Sequence, residues 1–294
     1  MSDPSSRPPR QPSRPRDVRP QPKRTEGKPH AHAPENPVVQ KLLALATDTF
    51  LALGAGLPQD YYHKVFVGRL NTSGISVQTK PRGVLKHRDK VADVFTPDFL
   101  CEHSVVLDLH TAVTEFSAAQ ISTTASAQKF FSAAHGLMLD FSGTEVRHRL
   151  LSPGGASFPT IPQEDFLRGH TVEKHDELRA LMLCRSLLRV GRAHGLGFCE
   201  RTYRGLLRVE FEAEMLDYED EPTISVACDG LALGESKLPN IMTIQRSGAL
   251  LILAQQDGIR ASDKLRLRAA LRYLKLPWGL IAHFGRRRFE WQWV

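Results

Sequence analysis

The chain has 294 residues, 41% of them hydrophobic, and a net charge of +7, which suits one large or two small globular domains. It has no run of 18 apolar residues, so no transmembrane helix and no membrane partner are expected, and the N-terminus lacks the apolar core of a secretory signal. Cys101, Cys184, Cys199 and Cys228 form no CxxC pair. That argues against a zinc site or a disulfide framework and suits a reducing cytoplasm.

Residues 1–36 carry eight Lys/Arg, four Asp/Glu and nine of the nineteen prolines. Such a stretch has too little apolar surface to offset chain entropy, so it reads as a disordered Pro/Arg-rich tail. It is either a basic arm for phosphates or a solubilising extension.

From Pro37 the pattern changes. Leu42, Leu43, Ala46, Phe50 and Leu53 fall at helical spacing, which predicts an amphipathic helix over 38–53. A second helix is expected over 57–70, stopped by Asn71, Ser73 and Gly74. Strands are expected at 75–78, 83–86, 92–95 and 104–109, then a small-residue helix over 118–134 and a buried strand over 136–141. Residues 152–176 are rich in Pro and Gly without a clear period and read as a linker. Residues 178–190 then repeat the opening amphipathic pattern.

The chain repeats itself. GLPQDYYHKVF at 56–66 corresponds to GFCERTYRGLL at 197–207, so that Gly56, Gln59 and Tyr62 match Gly197, Glu200 and Tyr203. Pro97-Asp98 corresponds to Pro239-Asn240, and GLMLDF at 136–141 to GLIAHF at 279–284. The order of these landmarks predicts a tandem duplication of one α/β unit of ~110 residues. The expected domains are 37–151 and 177–294.

Each half carries Gly-x-x-Glu/Gln-x-x-Tyr on a helix, then strands, Pro-Asp/Asn, an apolar strand, a helix and Gly-apolar-x-Phe. This order resembles the bacterial GxxExxY family, a branch of the PD-(D/E)XK nuclease-like superfamily. The resemblance implies two restriction-endonuclease-like α/β domains, each a central mixed sheet flanked by helices. In that superfamily an aspartate and a Glu-x-Lys converge at one sheet edge. Two carboxylates hold Mg²⁺ through hard oxygen ligands, the metal activates a water, and the lysine orients it.

The resemblance puts Asp98 on the family's aspartate and Asp108 on its glutamate, with Asp98 and Asp108 as the metal ligands. Strand alternation turns Leu109 to the opposite face. His110 stands where lysine belongs, Gln59 where the helical glutamate belongs, and Gln128 in Ala127-Gln128 matches the following helix. Histidine is mostly neutral at neutral pH, which weakens its equivalence to lysine. In the second half Glu200 and Tyr203 are intact, Asn240 replaces the aspartate, and Gln255 is the expected counterpart of the glutamate. That half is not expected to hold Mg²⁺. The residue types also allow plain structural roles: an aspartate after proline is common in turns, and a Gly-x-x-Glu-x-x-Tyr face is common in helix packing.

Arg286, Arg287 and Arg288 precede Phe289, Trp291 and Trp293, whose alternation puts the aromatics on one strand face. That pattern fits either a nucleic-acid contact or, more simply, a terminal strand docked on the core. Lys80, Arg82, Lys86, His87, Arg88 and Lys90 form a basic run that could face phosphates or solvent.

Both halves lack family residues, and they lack different ones. This favours a catalytically degenerate nuclease fold that binds nucleic acid or a protein partner over a Mg²⁺-dependent nuclease working at Asp98, Asp108 and His110. A pseudo-dimer of the two repeats, with Glu200 completing the first pocket, is a further expectation.

Overall fold

The computed structural model describes residues 36–111, 115–168, 172–229, 231–254 and 256–294. Residues 36–294 form one compact unit. No helix among the described residues is long and apolar enough to cross a membrane.

Ten elements occur twice in the same order. The first repeat holds α1 (Pro37–Leu53), α2 (Gln59–Thr72), β1 (Val77–Thr79), β2 (Gly83–His87), β3 (Lys90–Phe95), β4 (Phe99–Cys101), β5 (Val105–His110), α3 (Ala118–Phe130), β6 (His135–Asp140) and β7 (Arg147–Leu151). A short helix, α4 (Gln163–Phe166), follows. The second repeat holds α5 (Glu177–His194), α6 (Glu200–Ala213), β8 (Tyr218–Asp220), β9 (Thr223–Cys228), β10 (Leu231–Lys237), β11 (Ile241–Ile244), β12 (Gly248–Ala254), α7 (Ala261–Leu274), β13 (Trp278–Phe284) and β14 (Phe289–Trp293). The expected duplication is therefore the architecture of the chain. The three-residue strand β4 and the charged strand β7 are additions to the sequence reading. Neither has enough apolar alternation to stand out alone.

Each repeat builds a five-stranded mixed sheet, in the orders β1-β4-β5-β6-β7 and β14-β13-β12-β11-β8. One pair in each is parallel, β5 with β6 and β12 with β13, joined by the crossover helices α3 and α7. The chemistry of the ends explains where the helices start. Asn36 accepts from the Val38 N–H at 2.9 Å before Pro37, and Ser117 and Gln120 form a reciprocal capping box on α3.

The two sheets are buried differently. Val105, Leu107 and Leu109 face α1 and α2, while α3 covers Asp108 and Met138 on the opposite face. In the second repeat Leu250, Ile252 and Ala254 join the core under α5 and α6, and Ala249, Leu251 and Leu253 pack under α7. All seven residues of β12 are buried, as expected of a central strand covered on both faces.

Segment 152–176 is more ordered than a linker. Phe158, Ile161, Phe166, Leu167 and Val172 all pack into the core of the second repeat. Gly154 lies against the Arg286 guanidinium, and Ala156 N–H donates to Arg286 O at 3.1 Å. Lack of periodicity hid this, because the segment is fixed by single apolar insertions and not by a continuous face.

The repeats join through the β2–β3 hairpin of the first, which lies on α6 of the second. Ala92, at a bulge in that hairpin, brings its carbonyl so close to Gly205 that a Cβ there would fall 2.0 Å from the oxygen. Only glycine at 205 admits that approach. Ala92, Phe95, Leu100, Val106 and Ala127 of the first repeat belong to the same core as Leu206, Val209 and Phe198 of the second.

Candidate functional site

Asp98 and Asp108 meet. The Asp98 N–H donates to Asp108 Oδ1 at 3.1 Å, and the Leu109 N–H donates to Asp98 Oδ2 at 2.8 Å. The loop before β4 and the end of β5 are thus tied together at the edge where the sequence placed them. Thr124 on α3 donates its hydroxyl to Asp108 Oδ2 at 2.5 Å. Sequence reasoning missed Thr124. Its only signal is its position on the helix that covers the strand.

Burial pushes the Asp108 carboxyl up from the usual carboxylate range. The Thr124 hydroxyl and the Asp98 N–H pull the other way without prevailing. A divalent ion needs charged oxygens with free lone pairs. Here both oxygens of Asp108 and one of Asp98 already accept from protein donors, and the deeper carboxyl resists ionisation. The group does not fit Mg²⁺ as it is arranged. No group of three or more His, Cys, Asp or Glu poised to hold a metal occurs among the described residues.

His110 ends β5. Its Nδ1 lies 3.2 Å from Gln120 Nε2. The Gln120 oxygen accepts from the Ser117 N–H at 2.8 Å, so its amide nitrogen must donate to the imidazole. The neutral ring then carries its proton on the buried Nε2, which has no hydrogen-bond partner among the described residues. A base needs a free lone pair facing a water, and this tautomer offers none.

Beside His110 in the strand register lies Asp140, fully buried and salt-bridged to Arg147, with Ser142 Oγ donating to it at 2.9 Å. This third carboxylate was legible only as a lone Asp in an apolar strand. Its charge is neutralised on the spot.

The remaining expected residues are placed elsewhere or used otherwise. Gln59 donates its amide to Leu109 O at 2.9 Å, and Glu200 accepts from the Ala254 N–H at 3.0 Å. Each ties the start of its helix to the end of the central strand in its own repeat. Glu200 is thus bonded within its own repeat and Asp98 to Asp108 and Leu109 in the first, with no hydrogen bond between Glu200 and Asp98 among the described residues. Tyr62 and Tyr203 are fully buried and donate to Gly54 O and Gly195 O at 2.7 and 2.8 Å. They stack on Phe141 and Phe284 with ring centroids 4.7 and 4.0 Å apart. The Gly-x-x-Glu/Gln-x-x-Tyr motif is thus a clasp that fixes the helix–helix turn, which passes through Gly56 and Gly197 at φ +88° and +102°.

Gln128 is also buried. Its amide reaches Ala133 O, Ala134 O and Leu151 O at 3.3–3.4 Å, at the other end of β6 from His110. It staples α3 to the sheet and is not brought to the carboxylates. Asn240 receives the Arg204 guanidinium at 3.5 Å, and its N–H donates to Glu221 at 3.2 Å. Gln255 lies outside the described residues. By strand register Leu251 opposes Ile281 as Asp108 opposes Met138, so the position matching Asp108 in β12 is apolar.

The C-terminal aromatics dock on the core. Phe289 is buried, Trp291 stacks on Phe166 at 4.4 Å, and Trp293 Nε1 donates to Phe166 O at 2.8 Å. The arginines before them line a cleft of about 810 Å³, together with residues 152–156, Gln256, Asp257, His283 and Gly285. It opens at the C-terminal ends of the parallel strands β12 and β13, where open α/β sheets commonly bind ligands. Arg286 donates to Ser152 O at 2.9 Å. Arg288 donates to Asp257 O at 3.0 Å and pairs with Glu290 at 2.9 Å. Arg287 is exposed and makes no ion pair among the described residues. Of the earlier basic run, His87, Arg88 and Lys90 are committed to Glu210, Glu214 and Glu212 at the seam between repeats.

The sequence model of the PD-(D/E)XK nuclease superfamily matches this chain twice, over residues 36–150 and 179–294. The chain belongs to that superfamily, as two tandem domains. No curated protein matches it. A solved structure titled "Crystal structure of SSO0001" is 11% identical over 39% of this chain and 77% of its own, with a TM-score of 0.23. A likeness that low carries no argument here.

Proposed function

We propose that this protein is a catalytically degenerate member of the superfamily, close to the GxxExxY branch, that works by binding and not by hydrolysis. The observation that carries this reading is the knot at Asp98 and Asp108, where Thr124 and two backbone N–H groups already donate to three of the four carboxylate oxygens. The apolar Leu251 at the matching position of the second repeat adds to it. The Arg286–Arg288 cleft supports nucleic acid as the ligand class, held by its phosphates. With Trp291 and Trp293 half-buried against the core, less aromatic surface is left for base stacking, so sequence-independent contact is expected.

The adjacency of Asp98 and Asp108 favours a second reading, a metal-dependent nuclease confined to the first repeat. Calorimetric titration of Mg²⁺ and Mn²⁺ into the full chain separates the two. We expect no saturable binding. One saturable equivalent, abolished in Asp98→Ala and in Asp108→Ala, would restore the nuclease reading.

A further inference from the structure

The contact between the repeats is head-to-tail: a hairpin of the first lies on a helix of the second. Such a contact leaves one copy of each partner surface unused. The unused hairpin is β9–β10. All seven residues of β10 are exposed, with Leu231 and Leu233 at 65% and 60%. The unused helix face is on α2, where Tyr61 is 55% exposed and Gly68 meets open space. The two hairpins are built alike. Each carries one bulge at the same repeat position, Ala92 in the first and Leu233 in the second.

The charges on the used and unused surfaces are opposite in sign. At the used contact Arg88 from the hairpin and Arg189 from α5 both hold Glu210 on α6, at 2.6 and 3.1 Å. At the repeat offset of 141 their counterparts are Asp229, Asp48 and Arg69. Two cations around an anion become two anions around a cation. Asp48 and Asp229 are exposed, and Arg69 Nε is buried with no hydrogen-bond partner. None of the three forms an ion pair among the described residues.

We infer that the β9–β10 hairpin of one chain docks on the α2 face of a second copy of the same chain, with Asp229 pairing to Arg69. The inverted triad gives this contact its own charge register. The free hairpin is thereby kept off α6, whose Glu210 and Glu214 would repel Asp229. Lys64 stands where Gly205 admits the Ala92 carbonyl, so the second contact sits further out, with Leu233 against the aliphatic stem of Lys64. The smallest closed assembly is a pair in which each chain gives one hairpin and receives one, four repeats in a ring. The contact covers an edge strand with two exposed leucines, a surface otherwise open to indiscriminate pairing. The inference stands apart from the nucleic-acid reading.

Sedimentation equilibrium of the full chain over a hundredfold concentration range tests it. The expected mass rises from one chain to two. Leu233→Asp and Asp229→Arg, both at exposed positions, should each weaken association at least tenfold and leave unchanged the thermal midpoint measured at dilutions where the wild type is a single chain. Arg69→Asp alone should also weaken it. An equimolar mixture of the Asp229→Arg and Arg69→Asp chains should recover the wild-type association, because one of its two contacts is native and the other has both charges exchanged. A single-chain mass at every concentration would overturn the inference. So would association indifferent to Leu233→Asp and Asp229→Arg, or a mixture that fails to recover.

Discussion

The ammonium of Lys129, in the last turn of α3, lies 2.7 Å from the carbonyl oxygen of His194, the last residue of α5. It also donates to Leu196 O and sits 4.2 Å from the centre of the Phe198 ring. A lysine of the first repeat therefore caps a helix of the second, where exposed carbonyls and the negative end of the helix dipole favour a cation. Burial nevertheless pushes its pKa down to about 8. Lys129→Met leaves two carbonyls without their donor and should cost about 2 kcal/mol in denaturant unfolding at pH 7. Between about pH 8 and the ordinary lysine pKa the unfolded chain binds the proton and the folded chain does not. Wild-type stability should therefore rise with pH across that window relative to Lys129→Met. A parallel pH dependence in the two proteins would show that the ammonium is not desolvated.

Glu210 is fully buried and receives Arg88, Arg189 and His87 together. Burial works to raise its pKa, but the hydrogen bonds from Arg88, His87 and Arg189 hold it below the usual carboxylate range. Its contribution is thus present above the unfolded glutamate pKa and lost as pH falls through the folded value. Glu210→Gln should cost about 3 kcal/mol at neutral pH, since it leaves partly buried cations facing a neutral group. The loss should shrink in acid, and comparative melts from pH 7 down to pH 3 measure it.

Asp108 has the opposite sign. Its folded pKa is raised, so its stabilising protonated form is favoured below the unfolded aspartate pKa and lost as pH rises through the folded value. Asp108→Asn keeps its oxygen for the Asp98 N–H and can donate its amide to the Thr124 hydroxyl oxygen, without the buried charge. It should be at least as stable as wild type at neutral pH, with an advantage that grows as pH rises from the unfolded aspartate pKa through the raised folded value. An Asp108→Asn protein whose stability relative to wild type instead falls as pH rises would show that the carboxylate charge is needed, as a metal site would require.

The sequence by itself determined the duplication, the superfamily and the meeting of Asp98 with Asp108. The duplication is written in landmark residues at a fixed offset, and the superfamily and the meeting of the two aspartates are what the resemblance carried by those landmarks implies. It also gave the motif glycines and tyrosines, but not their work. Whether a buried tyrosine lines a site or fastens a turn depends on what stands opposite it, and Gly54, Gly195, Phe141 and Phe284 supply that partner from elsewhere in the chain. Only the tertiary structure decided that Thr124 occupies Asp108, that Gln128 staples the wrong end of the helix for catalysis, and that Arg88 serves Glu210 and not a phosphate. These are contacts between residues up to 122 positions apart. Periodicity and spacing record which face a side chain occupies within its own element. They carry no record of which distant donor or charge the packed chain will bring against it.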